Sequence, residues 1–261
     1  MRRRGLPLLA AVLASLAAYG SLARAEVAQK GPVRVSVSAR LSPTKLPRTG
    51  TAPVAVAFGG QIKPTSATAT PQLTTLSFAL NSHGKLLTNG LPRCRLGHID
   101  PSTSSEALQA CGSSLVGDGH FSADVRLPEQ SPFPSQGKVL AFNGRYQGRP
   151  AIFAHIYGTA PAPTSYVLPF LVKSTKGTYG TVLEASLPRV TGEWGFVKGI
   201  SMKLDRTFTS HGQTHSYISA GCPAPKGFRG ASYSLAKATF AFEGGLELSS
   251  VLNRNCKVAG R

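Results

Sequence analysis

Apolar and polar positions alternate with a period of two along much of the chain. Val33, Val35 and Val37 interleave with Arg34, Ser36 and Ser38; Val54, Val56 and Phe58 interleave with alanines; Leu76, Phe78 and Leu80 repeat the pattern. Phe121, Ala123, Val125 and Leu127 alternate with Ser122, Asp124 and Arg126. A period of two sends successive side chains to opposite faces, so each run predicts a half-buried strand. Turn signals separate the runs: Asn89-Gly90, Pro161-Ala162-Pro163 and Gly244-Gly245, in a chain with 28 glycines and 19 prolines. Frequent strands without intervening amphipathic helices predict an all-β, β-sandwich-like fold. One short helix is expected from Asp100-Pro101 to Ala110, with Leu108 towards a core, ending at Cys111-Gly112.

The segment Lys138 to Tyr157 departs from simple alternation. Asn143-Gly144 or Gln147-Gly148 can turn a hairpin there. On the returning strand Ile152, Ala154 and Ile156 share one face, while Phe153, His155 and Tyr157 share the other. Two readings compete. In one, this is a central strand buried on both sides, with His155 hydrogen-bonded in the core or at its rim. In the other it is a ligand-facing surface, where Tyr146, His155 and Tyr157 stack on a sugar or aromatic group while Arg145 and Arg149 hold an anion. A second irregularity is an echo along the chain. Leu46-Pro47-Arg48 precedes Ser82-His83-Gly84 and Cys94, and Leu187-Pro188-Arg189 precedes Ser210-His211-Gly212 and Cys222, with 12 residues from serine to cysteine in each case. Either short turn triplets coincide, or residues 26–135 and 136–261 are two related β units of one globular region.

The first 25 residues do not belong to that pattern. Arg2, Arg3 and Arg4 lead into an apolar run from Leu6 to Ala18 and then Ala23-Arg24-Ala25, the charged, apolar and cleavage regions of a signal peptide. The run falls short of the roughly 20 residues that span a bilayer core, so the mature chain is expected from Glu26 onward, outside the cytoplasm or at the cell envelope, with no transmembrane span. No cysteine near the cleavage point suggests a lipid anchor. Leu46-Pro47-Arg48-Thr49-Gly50 matches a wall-sorting pentapeptide by chance, because such signals stand near a C-terminus.

Export changes how charge and cysteines are read. The chain carries 29 Lys plus Arg against 11 Asp plus Glu; four of the bases (Arg2, Arg3, Arg4 and Arg24) and no acid precede Glu26, which leaves +14 for residues 26–261. Such a field attracts wall phosphates, acidic glycans or anionic lipid, and also favours solubility. The bases are scattered, without a dedicated nucleic-acid arm. Cys94, Cys111, Cys222 and Cys256 form an even set, which in an exported chain reads as two disulfides. Of three connectivities, Cys94–Cys111 with Cys222–Cys256 is favoured because each closes a local loop. Zinc would need a Cys-x-x-Cys or a close Cys/His cluster, and neither is present.

Catalytic signatures are missing as well. The chain has no G-x-S-x-G elbow and no H-E-x-x-H, and His211 and His215 fall in a turn rather than on one helix face. Glycan cleavage needs two carboxyl groups about 5–10 Å apart. The most enzyme-like group is Asp118 with His120 in Gly117-Asp118-Gly119-His120, to which Asp124 adds a carboxylate; the same Gly-Asp-Gly is also a plain turn sequence. No cofactor motif stands out.

Gly90-Leu91-Pro92-Arg93-Cys94, then Ala107-Leu108-Gln109-Ala110-Cys111 leading into Val116-Gly117-Asp118-Gly119, and the later Gly221-Cys222-Pro223-Ala224-Pro225, resemble exported β-rich proteins of high-GC actinobacteria, a group without an established function. These motifs are turns and cysteines, so the resemblance implies a fold and no activity. The reading that fits these features together is an exported, non-enzymatic protein that associates with the cell envelope or extracellular polyanions through a basic β-rich surface. The alternative is a hydrolase of envelope glycans or esters using Asp118 or Asp124.

Overall fold

The computed structural model describes residues 25–66, 71–125, 131–160, 163–187, 195–210 and 212–260; the expected signal peptide, Leu127, Pro161-Ala162, Pro188-Arg189 and His211 lie outside them. The chain runs through β1 (Glu26–Lys30), β2 (Val33–Ser42), β3 (Lys45–Leu46), β4 (Ala52–Pro53), β5 (Ala55–Pro64), β6 (Leu73–Asn81) and β7 (Gly84–Leu86) to one α-helix, α1 (Ser104–Cys111). It continues through β8 (Leu115–Val125), β9 (Phe133–Tyr146), β10 (Arg149–Gly158), β11 (Thr164–Ser174), β12 (Tyr179–Ser186), β13 (Gly195–Leu204), β14 (Thr207–Ser210), β15 (Gln213–Ser216), β16 (Ile218–Ala220), β17 (Gly230–Phe242) and β18 (Glu247–Val258). Among the described residues thirteen strands make one sheet, in the order β1-β2-β5-β13-β8-β9-β10-β11-β12-β6-β17-β18-β3. Every neighbouring pair is antiparallel except β18 with β3. Strands from residues 26–135 and 136–261 interleave, since β13 sits between β5 and β8 and β6 between β12 and β17.

The alternation seen in the sequence decides how this sheet curls. On its inner face, cross-strand rows read Val37–Gly60–Ile200–Phe121–Gly137 and Ala39–Phe58–Met202–Gly119–Val139, apolar or bare throughout. A sheet this apolar on one side must bury it, and it does so by folding onto itself in a sandwich-like arrangement. Phe58 on β5 meets Phe78 on β6, ring centroids 4.8 Å apart, and a Cβ at Gly60 would lie 3.6 Å from the Phe240 ring of β17. The two ends are bolted by Arg254 of β18, which donates to the Ala39 carbonyl of β2 at 2.7 Å and pairs with the Glu26 carboxylate of β1 at 2.6 Å.

The expected helix begins later than its proline suggested. Thr103 is the N-cap: its hydroxyl accepts from the Glu106 N–H while the Glu106 carboxylate accepts from the Thr103 N–H at 2.7 Å. This T-x-x-E capping box satisfies two orphan donors reciprocally, which outweighs Pro101 as a start signal. The helix buries Ala107 and Cys111 against the outer face of β9 and β10, where Phe142, Ala151 and Phe153 form a second, smaller core with Ile99. That cover explains why both faces of the Lys138–Tyr157 hairpin are apolar. The cysteines pair as the loop argument favoured, Cys94–Cys111 and Cys222–Cys256.

Gly117-Asp118-Gly119-His120 is not a turn but part of β8. A Cβ on Gly117 would collide with the Lys203 carbonyl oxygen, and one on Gly119 with the Ser201 carbonyl oxygen. The two glycines are there to let β13 approach, a role a single sequence does not distinguish from turn formation.

Candidate binding site

The outer face of the same sheet carries the concave feature that stands out. Two adjacent rows cross β2, β5, β13, β8 and β9: Ser38–Gly59–Ser201–His120–Lys138, and Ser36–Gln61–Gly199–Ser122–Gln136. Four inter-strand steps make each row about 19 Å long. Gly59 and Gly199 leave the floor bare, serines supply short hydroxyls beside them, and Gln61, Lys63, His120, Gln136 and Lys198 stand around the rim. The resulting trough has a volume of about 620 Å³, within the usual range for ligand sites. Lys198 takes its place because β13 carries a register shift between Val197 and Gly199 against β8; a bulge of this kind re-aims a side chain. Its ammonium reaches the Asp124 carboxylate at 3.1 Å. No Asp or Glu is among the described residues lining the trough, so it offers hydroxyls, amides and cations, with Asp124 beside it as the counter-charge of Lys198.

The residues singled out in the hairpin are distributed otherwise. Gln147 and Gly148 make the turn, both at positive φ (49° and 76°), as a two-residue hairpin loop of this hand requires. Arg145 is exposed and its guanidinium donates to the Gly148 carbonyl at 3.1 Å, closing the turn. Tyr146 packs against the smaller core, and Arg149 lies opposite it in register. Tyr157 stands eight residues further along β10, about 27 Å from Arg149 at strand spacing. His155 is fully buried. Its Nε2 donates to the Ser102 carbonyl at 2.9 Å, with the Ser102 and Ser165 hydroxyls at 3.2 and 3.4 Å. A carbonyl only accepts, so the proton is on Nε2, and Nδ1 is left buried without a partner. The five residues therefore do not converge on one surface.

Burial holds the His155 pKa below its usual 6.5, against opposing contributions from the Ser102 carbonyl and Asp100. A folded-state pKa depressed below the unfolded one means that the unfolded chain takes up the proton first. Stability is full above about pH 6.5 and falls as pH drops from there towards the folded-state value. In urea titrations between pH 7.5 and 5, wild type should lose stability on acidification. His155→Leu should lose distinctly less; identical profiles would exclude His155 as the source.

Asp118 and Asp124 are six residues apart on β8, about 20 Å at strand spacing, well beyond the separation of a glycosidase pair. Asp124 is engaged by Lys198, and Asp118 lies opposite Lys203 in register. His215 stacks on Phe208, centroids 5.7 Å apart, while His211 lies outside the described residues. Among the described residues no cluster of three or more His, Cys, Asp or Glu could hold a metal ion, and no helix is long and apolar enough to cross a membrane. The pentapeptide at Leu46 has a structural part: Arg48 donates to the carbonyls of Ala224, Pro225 and Phe228, with 2.7 Å to the last.

No family model, curated protein or solved structure matches the chain. The functional reading rests on the site itself. The trough was not among the sites that the sequence suggested, although Ser36 and Ser38 beside Val35, Val37 and Ala39, and Ser122 in the β8 repeat, are outward positions filled by small polar residues instead of charges. What joins them is cross-strand register between segments far apart in the chain.

Proposed function

We propose that the protein is an exported, non-enzymatic binder of anionic polymers of the cell envelope or extracellular space, and that the polymer lies along the outer trough. The observation that carries this reading is the pair of adjacent polar rows, lined without a carboxylate and flanked by Lys63, Lys138 and the Asp124-paired Lys198. Short hydroxyls and amides suit a chain rich in hydroxyl groups, and the lysines suit its repeating negative charge. The net +14 of residues 26–261 adds a long-range field that draws such a polymer in and weakens with salt. Two disulfides fit an oxidising destination.

The test is calorimetric titration of mature protein with oligogalacturonate, a hydroxylated chain with one carboxylate per unit. Lys63→Ala with Lys198→Ala should weaken binding by about 2 kcal/mol, roughly thirtyfold. Ser201→Trp, an exposed position that would fill the trough, should abolish it. Undiminished binding by both variants would rule out this site.

A further inference from the structure

The segment between β16 and β17 turns sharply at Pro225-Lys226-Gly227-Phe228. The Phe228 N–H donates to the Pro225 carbonyl at 3.1 Å, and Gly227 takes a φ of 92°, the left-handed value that the third position of a type II turn requires. The turn is fixed at several points through its backbone. Arg48 donates to the carbonyls of Ala224, Pro225 and Phe228, the Val258 N–H donates to the Arg229 carbonyl at 2.8 Å, and the Cys222–Cys256 bridge ties the start of the segment to β18. With the backbone held in this way, the side chains of Pro225, Lys226, Phe228 and Arg229 are all exposed. Phe228, at 64%, is the most exposed large apolar side chain among the described residues.

A lone exposed apolar residue is ordinary on a protein surface. This one is presented on a rigid turn and surrounded by one sign of charge. Lys226 and Arg229 flank the ring in the chain, and Gly230 lies opposite Lys257 of β18, which in turn lies opposite Lys45 of β3. Lys45 and Lys257 are exposed, while their neighbours Leu46 and Cys256 point into the core. No Asp or Glu occurs in the segments that meet here, residues 44–48, 222–230 and 256–258. A soluble polyanion would engage the cations and leave the ring, which has no hydrogen-bonding group, largely in water. An anionic lipid surface engages both: aromatic rings settle at the headgroup level, and each Lys or Arg close to such a surface adds about fivefold in affinity. We propose that this end of the molecule docks on membranes of anionic phospholipid, with Phe228 entering the headgroup region and Lys226, Arg229, Lys45 and Lys257 against the phosphates. The trough lies on other strands, β2, β5, β13, β8 and β9, so the two sites are separate.

The experiment is co-sedimentation of protein of residues 26–261 with lipid vesicles, since the apolar run Leu6 to Ala18 would enter lipid by itself. Vesicles of phosphatidylglycerol and phosphatidylcholine in equal parts should bind the protein at physiological salt, and vesicles of phosphatidylcholine alone should bind it at least about tenfold more weakly. Phe228→Ala should weaken binding to the anionic vesicles about tenfold with the melting temperature unchanged, because so exposed a ring holds no core together. Lys226→Ala with Arg229→Ala should weaken it about thirtyfold. Phe228→Trp should keep binding, and brominated acyl chains should quench its fluorescence beyond the background of Trp194, the one tryptophan of the chain. Ser201→Trp should bind vesicles like wild type, and Phe228→Ala should bind oligogalacturonate like wild type. Equal binding to the two kinds of vesicle, undiminished vesicle binding by Phe228→Ala, or no added quenching in Phe228→Trp would overturn the inference. Loss of oligogalacturonate binding by Phe228→Ala with vesicle binding intact would assign the turn to the polymer and overturn it as well.

Discussion

Gly119→Ala should cost about 4 kcal/mol or more in unfolding free energy, placing it among the most damaging single substitutions in the molecule. An added Cβ would overlap the Ser201 carbonyl oxygen and stand 2.7 Å from the Ser201 carbonyl carbon and 2.9 Å from the Met202 Cα. All three atoms are backbone, so no side chain can swing aside. β8 and β13 would have to separate in the middle of their pairing, where Ser201 lies opposite His120. The trough straddles that seam, so the variant should lose polymer binding as well as stability. Gly97→Ala is the control, since nothing lies within 4 Å of its would-be Cβ; it should change stability by less than about 0.5 kcal/mol. Denaturant melts of the two variants test the contrast. Near-equal effects would mean that β8 and β13 do not approach as described.

The second large effect concerns the bridge that ties the segment after β16 to β18. Cys222 and Cys256 are both buried, and their bridge closes a loop of 34 residues. The chain-entropy relation gives about 4 kcal/mol for such a loop and about 3 kcal/mol for one the length of the Cys94–Cys111 loop. Cys222→Ala with Cys256→Ala should therefore lower the melting temperature by about 8–16 °C for a domain of this size. Removing Cys94–Cys111 should cost less, because it frees only the helical cover over β9 and β10. A calorimetric scan of both double variants checks the order. If loss of Cys94–Cys111 is the more damaging, the segment tied to β18 is not the more strongly constrained of the two regions.

The parts of this structure that depend on local chemistry were legible in the chain. Alternation around Val33–Val37 and Phe121–Val125 located β2 and β8, Gln147-Gly148 was one of two candidate hairpin turns, and the cysteine spacings favoured the bridges that formed. The helix is legible in the chain, but Pro101 points to an earlier start than the Thr103–Glu106 capping box sets. Gly117 and Gly119 suggest a turn, the commonest use of glycine, but their role is set by a strand more than 80 residues further along the chain. The candidate site was the least legible for the same reason. Ser38, Gly59, Ser201 and His120 become neighbours only through the register of β2, β5, β13 and β8, which no single segment specifies. His155 drew attention as an aromatic-flanked histidine. Its actual position beneath the Ser102 carbonyl follows from the helical cover, whose placement is again a matter of tertiary contact.

The central claim is that an anionic polymer is held along the outer trough of β2, β5, β13 and β8. Its most direct test is to record backbone amide and side-chain chemical-shift changes as oligogalacturonate is titrated into isotope-labelled protein of residues 26–261 at physiological salt. The account expects the saturable changes to concentrate at Ser36, Ser38, Gln61, His120, Ser122, Lys198 and Ser201, with the β9–β10 turn unaffected. Changes centred on Arg145 and Arg149 at that turn, or spread evenly over the basic surface without saturation, would contradict it.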